Sequence, residues 1–372
     1  MAETLSADDP PLVTTASALA SVVEWVSEAP LLAIDTEFVR EKTYYPKLCL
    51  IQLATDEHAT CIDCLADLDL GPLLAPLFAA ERTWVLHSAR QDLEVIWQLA
   101  QRPPPRLIDT QIAAALSGSA AQIGLEGLLR ETLGVELGES FARTDWSRRP
   151  LPVAALAYAL DDVRYLLPAL RTLMSRLAEL GRSDWLEEDC ARLLAEPPVA
   201  DTTTLWSRLK GVHALPLRSR CAALALVRWR EHEAQVKDRP RRWILADDDL
   251  LAVAGALPND ISELERCLPP RTAAKLGKAL LAAVAAHSDA DVERIVLANA
   301  PPPQADKATL KSLQSAVRAR AEQLGIEPEI LATRRDLAAL ARGERATLLS
   351  EGWRRTALAG VLGADVAPLA KT

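Results

Sequence analysis

LLAIDTEFVRE, residues 31–41, begins as an apolar run and ends in acids. Leu31, Leu32, Ala33 and Ile34 read as a buried strand. Side chains alternate along a strand, so Asp35 and Glu37, two residues apart, leave the same face. Two carboxylates side by side repel each other unless a cation lies between them. A hard divalent ion such as Mg²⁺ or Mn²⁺ prefers carboxylate oxygen and removes that cost.

Two segments further along bring acids suited to the same pocket. HSARQDLEVI (87–96) follows the apolar strand Trp84-Val85-Leu86, and Ser88 is expected to cap a helix carrying Asp92 in its first turn. VAALAYALDDVRYLL (153–167) has helical apolar spacing, so Tyr158 and Asp162, four apart, share a face. Asp161 falls about a quarter turn off that face. Four carboxylates from a strand and two helices can hold two ions roughly 3.5–4 Å apart, an arrangement that cleaves phosphodiesters. A tyrosine hydroxyl beside them is suited to orienting the attacking water or assisting its deprotonation. Asp109, in LIDTQ, is expected to cap the helix that follows it.

Asp-x-Glu, a later Asp and Tyr-x-x-x-Asp together resemble the three exonuclease motifs of the DEDD superfamily. Position 157 is Ala where the histidine branch needs His, so the resemblance is to the tyrosine branch. The words DTEFVREKTYYPKLCLIQLA (35–54), LHSARQDLEV (86–95), LIDTQIAA (107–114) and RTDWSRRPL (143–151) resemble the ribonuclease D family. The likeness runs from about Leu31 to about Leu170 and continues more weakly beyond. It implies an α/β ribonuclease-H-like exonuclease domain, a mixed sheet flanked by helices. It also implies a 3′→5′ exoribonuclease that releases 5′-mononucleotides by two-metal-ion hydrolysis, with Asp35, Glu37, Asp92 and Asp162 as ligands and Tyr158 beside them. The implied partners are RNA 3′ ends, those of precursor tRNAs in particular. Under the same likeness His87 contacts the terminal nucleotide; the residues alone equally allow a histidine satisfied by backbone groups. Thr36 and Phe38 flank the strand carboxylates and are candidates to border the terminal sugar and base. Arg143, Asp145, Trp146 and Arg149 form a polar loop before the tyrosine helix. There arginine suits phosphate, and Trp146 is either a base-stacking platform or a packing anchor.

A chain of 372 residues suggests two or three domains. The proline-rich breaks at 196–200 and 301–303 divide it into an exonuclease domain (1–196) and two helical parts. Residues 201–287 resemble an HRDC helical domain, and the family carries a second, divergent HRDC-like bundle where residues 305–372 lie. Residues 1–200 hold 16 Lys and Arg against 30 Asp and Glu, while 201–285 hold 14 against 10. An acidic catalytic part with a mildly basic tail suits a nuclease whose tail grips RNA. Lys237, Arg239, Arg241 and Arg242 beside Trp243 are the RNA-contact candidates there. Every expected metal ligand precedes Pro197, so a chain ending near Glu196 is expected to keep the chemistry.

The remaining signals exclude other classes. Cys61-x-x-Cys64 has no second pair to complete a zinc site. No run reaches the ~18 apolar residues of a membrane span, and the acidic start MAETLSADDPP is unlike a signal peptide. The expected location is the cytoplasm. The absence of Walker, GxGxxG, GxSxG and HExxH patterns argues against motors, dehydrogenases, serine hydrolases and zinc proteases, and for no nucleotide cofactor. The rivals are a 3′→5′ DNA exonuclease and a non-catalytic RNA-binding adaptor on an inactivated nuclease fold.

Overall fold

The structure, a computed structural model, describes residues 11–197, 201–286, 290–299, 305–342 and 347–362. It divides into two compact units. One contains the described residues of Met1–Val39, Leu48–Pro198 and Pro303–Thr372; the other contains those of Arg40–Lys47 and Val199–Pro302. Of the break expected at 196–200 only Glu196 and Pro197 are described, and the break expected at 301–303 lies outside the described residues, as do the chain's first ten residues.

The first unit is built on a six-stranded mixed sheet in the order β1-β4-β3-β2-β5-β6. The strands are β1 (Leu12–Val13), β2 (Leu31–Val39), β3 (Lys47–Ala54), β4 (Ala59–Asp63), β5 (Thr83–Leu86) and β6 (Leu107–Asp109). β3 and β4 are antiparallel, in the register Leu50↔Asp63 to Ala54↔Ala59. β2 runs parallel to β5, and β5 to β6, so three chain segments end at one edge of the sheet. Central strands covered on both faces read as apolar runs, which is what 31–34 and 84–86 show. The apolar pattern from residue 31 onward does not signal β1 or the helix α1 (Ala16–Glu28) before it. α1 packs Leu19, Val22, Trp25 and Val26 onto the sheet core beside Leu32, Ile34 and Leu53.

Helices α2 (Gly71–Leu77), α3 (Arg90–Ala100), α4 (Thr110–Leu116), α5 (Leu125–Leu133), α6 (Val153–Arg164), α7 (Leu166–Glu179) and α8 (Ser183–Ala195) cover the sheet. Ser88 does not cap α3 as expected: the cap residue is Ala89, whose own side chain makes no capping bond. The buried Asp109 takes over the turn, accepting from the N–H groups of Ser88 (3.0 Å) and Ala89 (2.8 Å). The same carboxylate also accepts from Gln111 N–H at 2.8 Å, so it caps α4 as the sequence led us to expect.

The second unit is helical, and among the described residues after 197 no strand occurs. It comprises α9 (Thr202–Ser207), α10 (Leu217–Val236), α11 (Arg241–Ile244), α12 (Asp247–Ala256), α13 (Ile261–Cys267), α14 (Pro270–Ala285) and α15 (Ala290–Ala298). α10 is apolar all round over Cys221–Val227 and polar towards both ends, and it forms the centre of the bundle, burying Cys221–Leu224, Leu226 and Val227.

Helices α16 (Lys307–Leu324), α17 (Pro328–Leu331), α18 (Arg334–Ala341), α19 (Thr347–Ser350) and α20 (Gly352–Ala357) belong to the first unit. Val317, Ala321, Leu331, Leu337, Trp353 and Leu358 share one core with Ala113, Leu116, Leu173, Leu177, Leu186 and Cys190 of α4, α7 and α8. Trp353 stacks on Trp185 at 4.1 Å between ring centroids. Arg354 places a two-pronged ion pair on Asp189, at 2.6 and 2.8 Å, with both residues buried. Gly352 adopts φ +61°, and a Cβ there would collide with the Glu188 carboxylate, which receives Trp353 N–H at 2.8 Å. The last helices are therefore continuous with the core that carries the sheet.

Candidate active site

Asp35 and Glu37 leave β2 on one face, as the strand period requires, and Asp162 approaches from α6. One carboxylate oxygen from each of the three lies within 4.8 Å of the others. Asp92 enters from the first turn of α3 and lines the same cleft of ≈ 430 Å³. Thr36, buried between the strand acids, donates its hydroxyl to Asp92 Oδ1 at 2.5 Å. The side chain expected at the sugar thus orients a carboxylate, a role that alternation along β2 alone does not reveal. Phe38, His87, Ser88, Gln91, Tyr158 and Leu166 complete much of the wall.

Burial and mutual repulsion make this a costly cluster of charge. Burial, then Asp92, Asp162 and Glu37, push the Asp35 carboxyl well above the usual carboxylate range. Burial and the charges of Asp162 and Asp92 push Glu37 up to about 9. Burial pushes Asp162 to about 7 against the hydrogen bond from Tyr158, and Asp92 to about 6 against the bond from Thr36. Such a donor set, all carboxylate oxygen and held charged only at a cost, fits hard divalent cations. Asp161 is turned away and pairs with Arg164 at 3.1 Å, so spacing from Tyr158 selects the acid that faces the cleft.

The titration has a measurable sign. Without metal, these carboxyls hold protons more tightly folded than unfolded. Their contribution to stability is fully present below pH about 4 and is lost as pH rises through about 6 to 9. Metal-free protein is expected to melt lower at pH 9 than at pH 6, and stabilisation by Mn²⁺ to grow over that interval. Calorimetry in EDTA and in Mn²⁺ at each pH checks both. A metal increment flat in pH would show that the ion binds elsewhere.

Tyr158 is wedged between Trp146 (ring centroids 6.3 Å, near-stacked) and Phe141 (6.1 Å). Trp146 is only 1% exposed and packs with Cys49, Leu50, Cys61, Ala155 and Ala159. Its role as a base-stacking platform is therefore corrected: the indole packs against the Tyr158 ring, inside the core. Arg149 is likewise committed, clasping Asp63 at 2.6 Å through both Nε and Nη2 and donating to the carbonyls of Trp146 and Cys49. Arg143 is exposed in the same loop. His87 lines the cleft, but both ring nitrogens are engaged, Nδ1 with Thr110 Oγ1 (2.9 Å) and Nε2 with Ile123 O (3.0 Å). The satisfied reading holds for its nitrogens, leaving the ring itself to the cleft. Cys61 and Cys64 are free thiols, and burial pushes Cys64 up to about 12.

In the second unit, Arg241 is bound to the buried Glu231 through both nitrogens of one edge and lies over the Tyr44 ring at 4.8 Å. Tyr44 donates its hydroxyl to the same carboxylate. Arg241 therefore holds segment 40–47 and is corrected from an RNA contact to a structural cation. Lys237 pairs with Glu233, Arg242 with Asp247 at 3.1 Å, and Trp243 is 57% exposed.

Residues 10–178 match the family of 3′-5′ exonuclease domains, and residues 222–284 match the HRDC domain. The chain is 37% identical over 362 residues to a ribonuclease D of Gluconacetobacter diazotrophicus, covering 94% of this chain and 90% of the relative. It is also 37% identical over 372 residues to a ribonuclease D of Jannaschia sp., covering 96% and 94%. The crystal structure of Escherichia coli RNase D, an exoribonuclease involved in structured RNA processing, superposes with a TM-score of 0.82 at 30% identity. That match covers 99% of this chain and all of the other.

Proposed function

The chain belongs to the ribonuclease D family and is a 3′→5′ exoribonuclease; from that premise we propose that it trims the 3′ ends of precursor tRNAs through a site holding two divalent ions, Mg²⁺ or Mn²⁺. The single observation that carries the site is the convergence of Asp35, Glu37 and Asp162 within 4.8 Å, with Asp92 in the same cleft. These four carboxylates would hold the ions, which supply Lewis acidity and charge neutralisation when bound. No helix among the described residues is long and apolar enough to cross a membrane. The intact acid set disfavours an adaptor role, and relatives named as ribonucleases disfavour a DNA substrate.

The chain's own groups have distinct work in this reading. Asp35, Glu37, Asp92 and Asp162 gather negative charge where a cationic centre must sit, and Thr36 fixes the Asp92 rotamer through its hydroxyl. Burial and the surrounding carboxylates push the Tyr158 phenol up, so it keeps its proton at neutral pH. It donates to Asp162, leaving its oxygen to accept from, and so orient, a water approaching the scissile phosphate. Phe38, Leu166 and the His87 ring form the wall beside it, a surface suited to a sugar and base.

Tyr158→Phe keeps the ring between Trp146 and Phe141 and removes only the hydroxyl. Its turnover is expected to fall by about 10²-fold with RNA affinity little changed; equal loss of both would make the hydroxyl structural. The substrate is tested with a 5′-labelled precursor tRNA carrying a 3′ extension, and with the same RNA labelled at its 3′ end. We expect 5′-mononucleotide from the 3′ label at once, with shortening that pauses at the mature end. Digestion that ignores the tRNA body would sink the assignment to precursor tRNA while leaving the chemistry intact.

A further inference from the structure

Trp243 is the only one of the nine tryptophans with an exposed side chain. It stands on the short helix α11 as a ridge between two hollows of the helical unit. One hollow, ≈ 540 Å³, is lined by Lys237, Arg239, Ile244, Lys275 and Leu276. The other, ≈ 380 Å³, is lined by Arg40, Glu41, Thr43, Tyr44 and Arg242. Trp243 lines both, and the Arg239 guanidinium lies over its ring at 5.9 Å.

The ridge is rigidly mounted. Asp238 accepts from the N–H groups of Tyr44 (3.0 Å) and Tyr45 (3.1 Å), and Gln235 donates to the Tyr44 hydroxyl at 3.0 Å. With the Glu231–Arg241 pair, these bonds tie segment 40–47 to the end of α10 and to α11. That segment directly follows β2, the strand that carries Asp35 and Glu37.

We propose that Trp243 and its two flanking hollows form a subsite for single-stranded RNA, in which one base stacks on the indole and the adjoining phosphates lie against Lys237, Arg239 and Lys275 on one side and Arg242 on the other. The inference rests on the exoribonuclease reading and adds to it a place in the helical unit where single-stranded RNA is held. An exposed indole offers a face to any base, so this site reads backbone and stacking and is tolerant of sequence. The surface pairs Lys237–Glu233 and Arg242–Asp247 open readily, since exposed pairs contribute little and phosphate competes for the cations. Glu41 is the one acid on the lining, which makes the Lys275 side the stronger phosphate site. Arg241, the central residue of the basic run, is excluded because Glu231 already neutralises it.

The test is fluorescence anisotropy of a 5′-labelled 20-nucleotide oligoadenylate with the full chain in EDTA, which stops turnover. Trp243→Ala is expected to weaken binding about 5- to 150-fold, the range for losing one base–aromatic stack. Trp243→Phe is expected to retain most of the affinity, and melting temperatures to be unchanged. Lys275→Ala is expected to lower the slope of log affinity against log salt by about 1 at equal folding. Wild-type affinity in Trp243→Ala overturns the proposal and leaves the ridge for a protein partner. Equal losses on the single strand and on a blunt RNA duplex also overturn it, because stacking requires unpaired bases. A wild-type protein that binds the oligonucleotide in EDTA but releases no mononucleotide in Mn²⁺ would instead count against the exoribonuclease reading.

Discussion

Alanine in place of Asp35, Glu37, Asp92 or Asp162 is expected to lower turnover on RNA by about 10³-fold or more, because losing a catalytic ion removes several kcal/mol of transition-state stabilisation. Asp161→Ala is expected to stay within a few-fold of wild type, since that carboxylate pairs with Arg164. The same substitutions should act in the opposite direction on stability. Each removes a carboxyl whose ionisation burial and its neighbours disfavour, so at pH 9 the metal-free variants of Asp35 and Glu37 are expected to melt no lower than wild type. Initial rates in Mn²⁺ and melting curves in EDTA separate the two effects. A variant that is inactive and also melts far lower would mark its acid as part of the framework rather than the site.

Arg354→Leu is expected to destabilise the exonuclease unit by about 3–5 kcal/mol, the cost of leaving one partner of a buried pair uncompensated. Burial pushes the Asp189 carboxyl up, but bonds from Arg354, Trp353 and the nearby Arg192 outweigh it and hold the group below the usual range. A melting temperature lower by about 10 °C is the corresponding shift for a unit of this size. The double variant Asp189→Leu/Arg354→Leu is expected to recover much of the loss, because no buried charge then remains. A chain ending at Glu196 carries the defect further. It lacks the apolar surface of α16–α20 that covers Ala113, Leu116, Leu173, Leu177 and Leu186, and it is expected to be insoluble or unfolded. The placement of the acids before Pro197 predicts that such a chain keeps its chemistry; the shared core predicts the opposite. A soluble, cooperatively melting 1–196 fragment that cuts short RNA would refute the account.

The candidate site residues are readable because strand and helix periods are local. Alternation brings Asp35 and Glu37 to one face, and a four-residue step brings Tyr158 and Asp162 to another; both hold in the folded protein. Apolar spacing predicts helices over 217–235, 261–267, 307–324 and 334–341, and α10, α13, α16 and α18 occupy those spans to within a residue, whereas the run predicted at 352–362 is helical only as Gly352–Ala357. The errors fall on polar and aromatic residues whose role depends on a distant partner. Trp146 and Arg149 lie in a loop that looked free, yet one indole fills the space under Tyr158 and one guanidinium finds Asp63, 86 positions away in sequence. Arg241 looked like the middle of a basic patch until Glu231 and Tyr44 closed on it.

The acid constellation, the sheet-then-helix architecture and the likeness to the tyrosine branch are legible from local spacing. Each is written in spacings of two to four residues, whose geometry the backbone imposes wherever the segment ends up. Folding in three dimensions settles which cations are spent internally, that Thr36 serves Asp92, and that helices α16–α20 share the core of α4, α7 and α8. Those outcomes are set by burial. A charged or aromatic side chain is free for substrate only if no partner has already removed it from water, and that partner is identified by the folded chain and not by its neighbours in sequence.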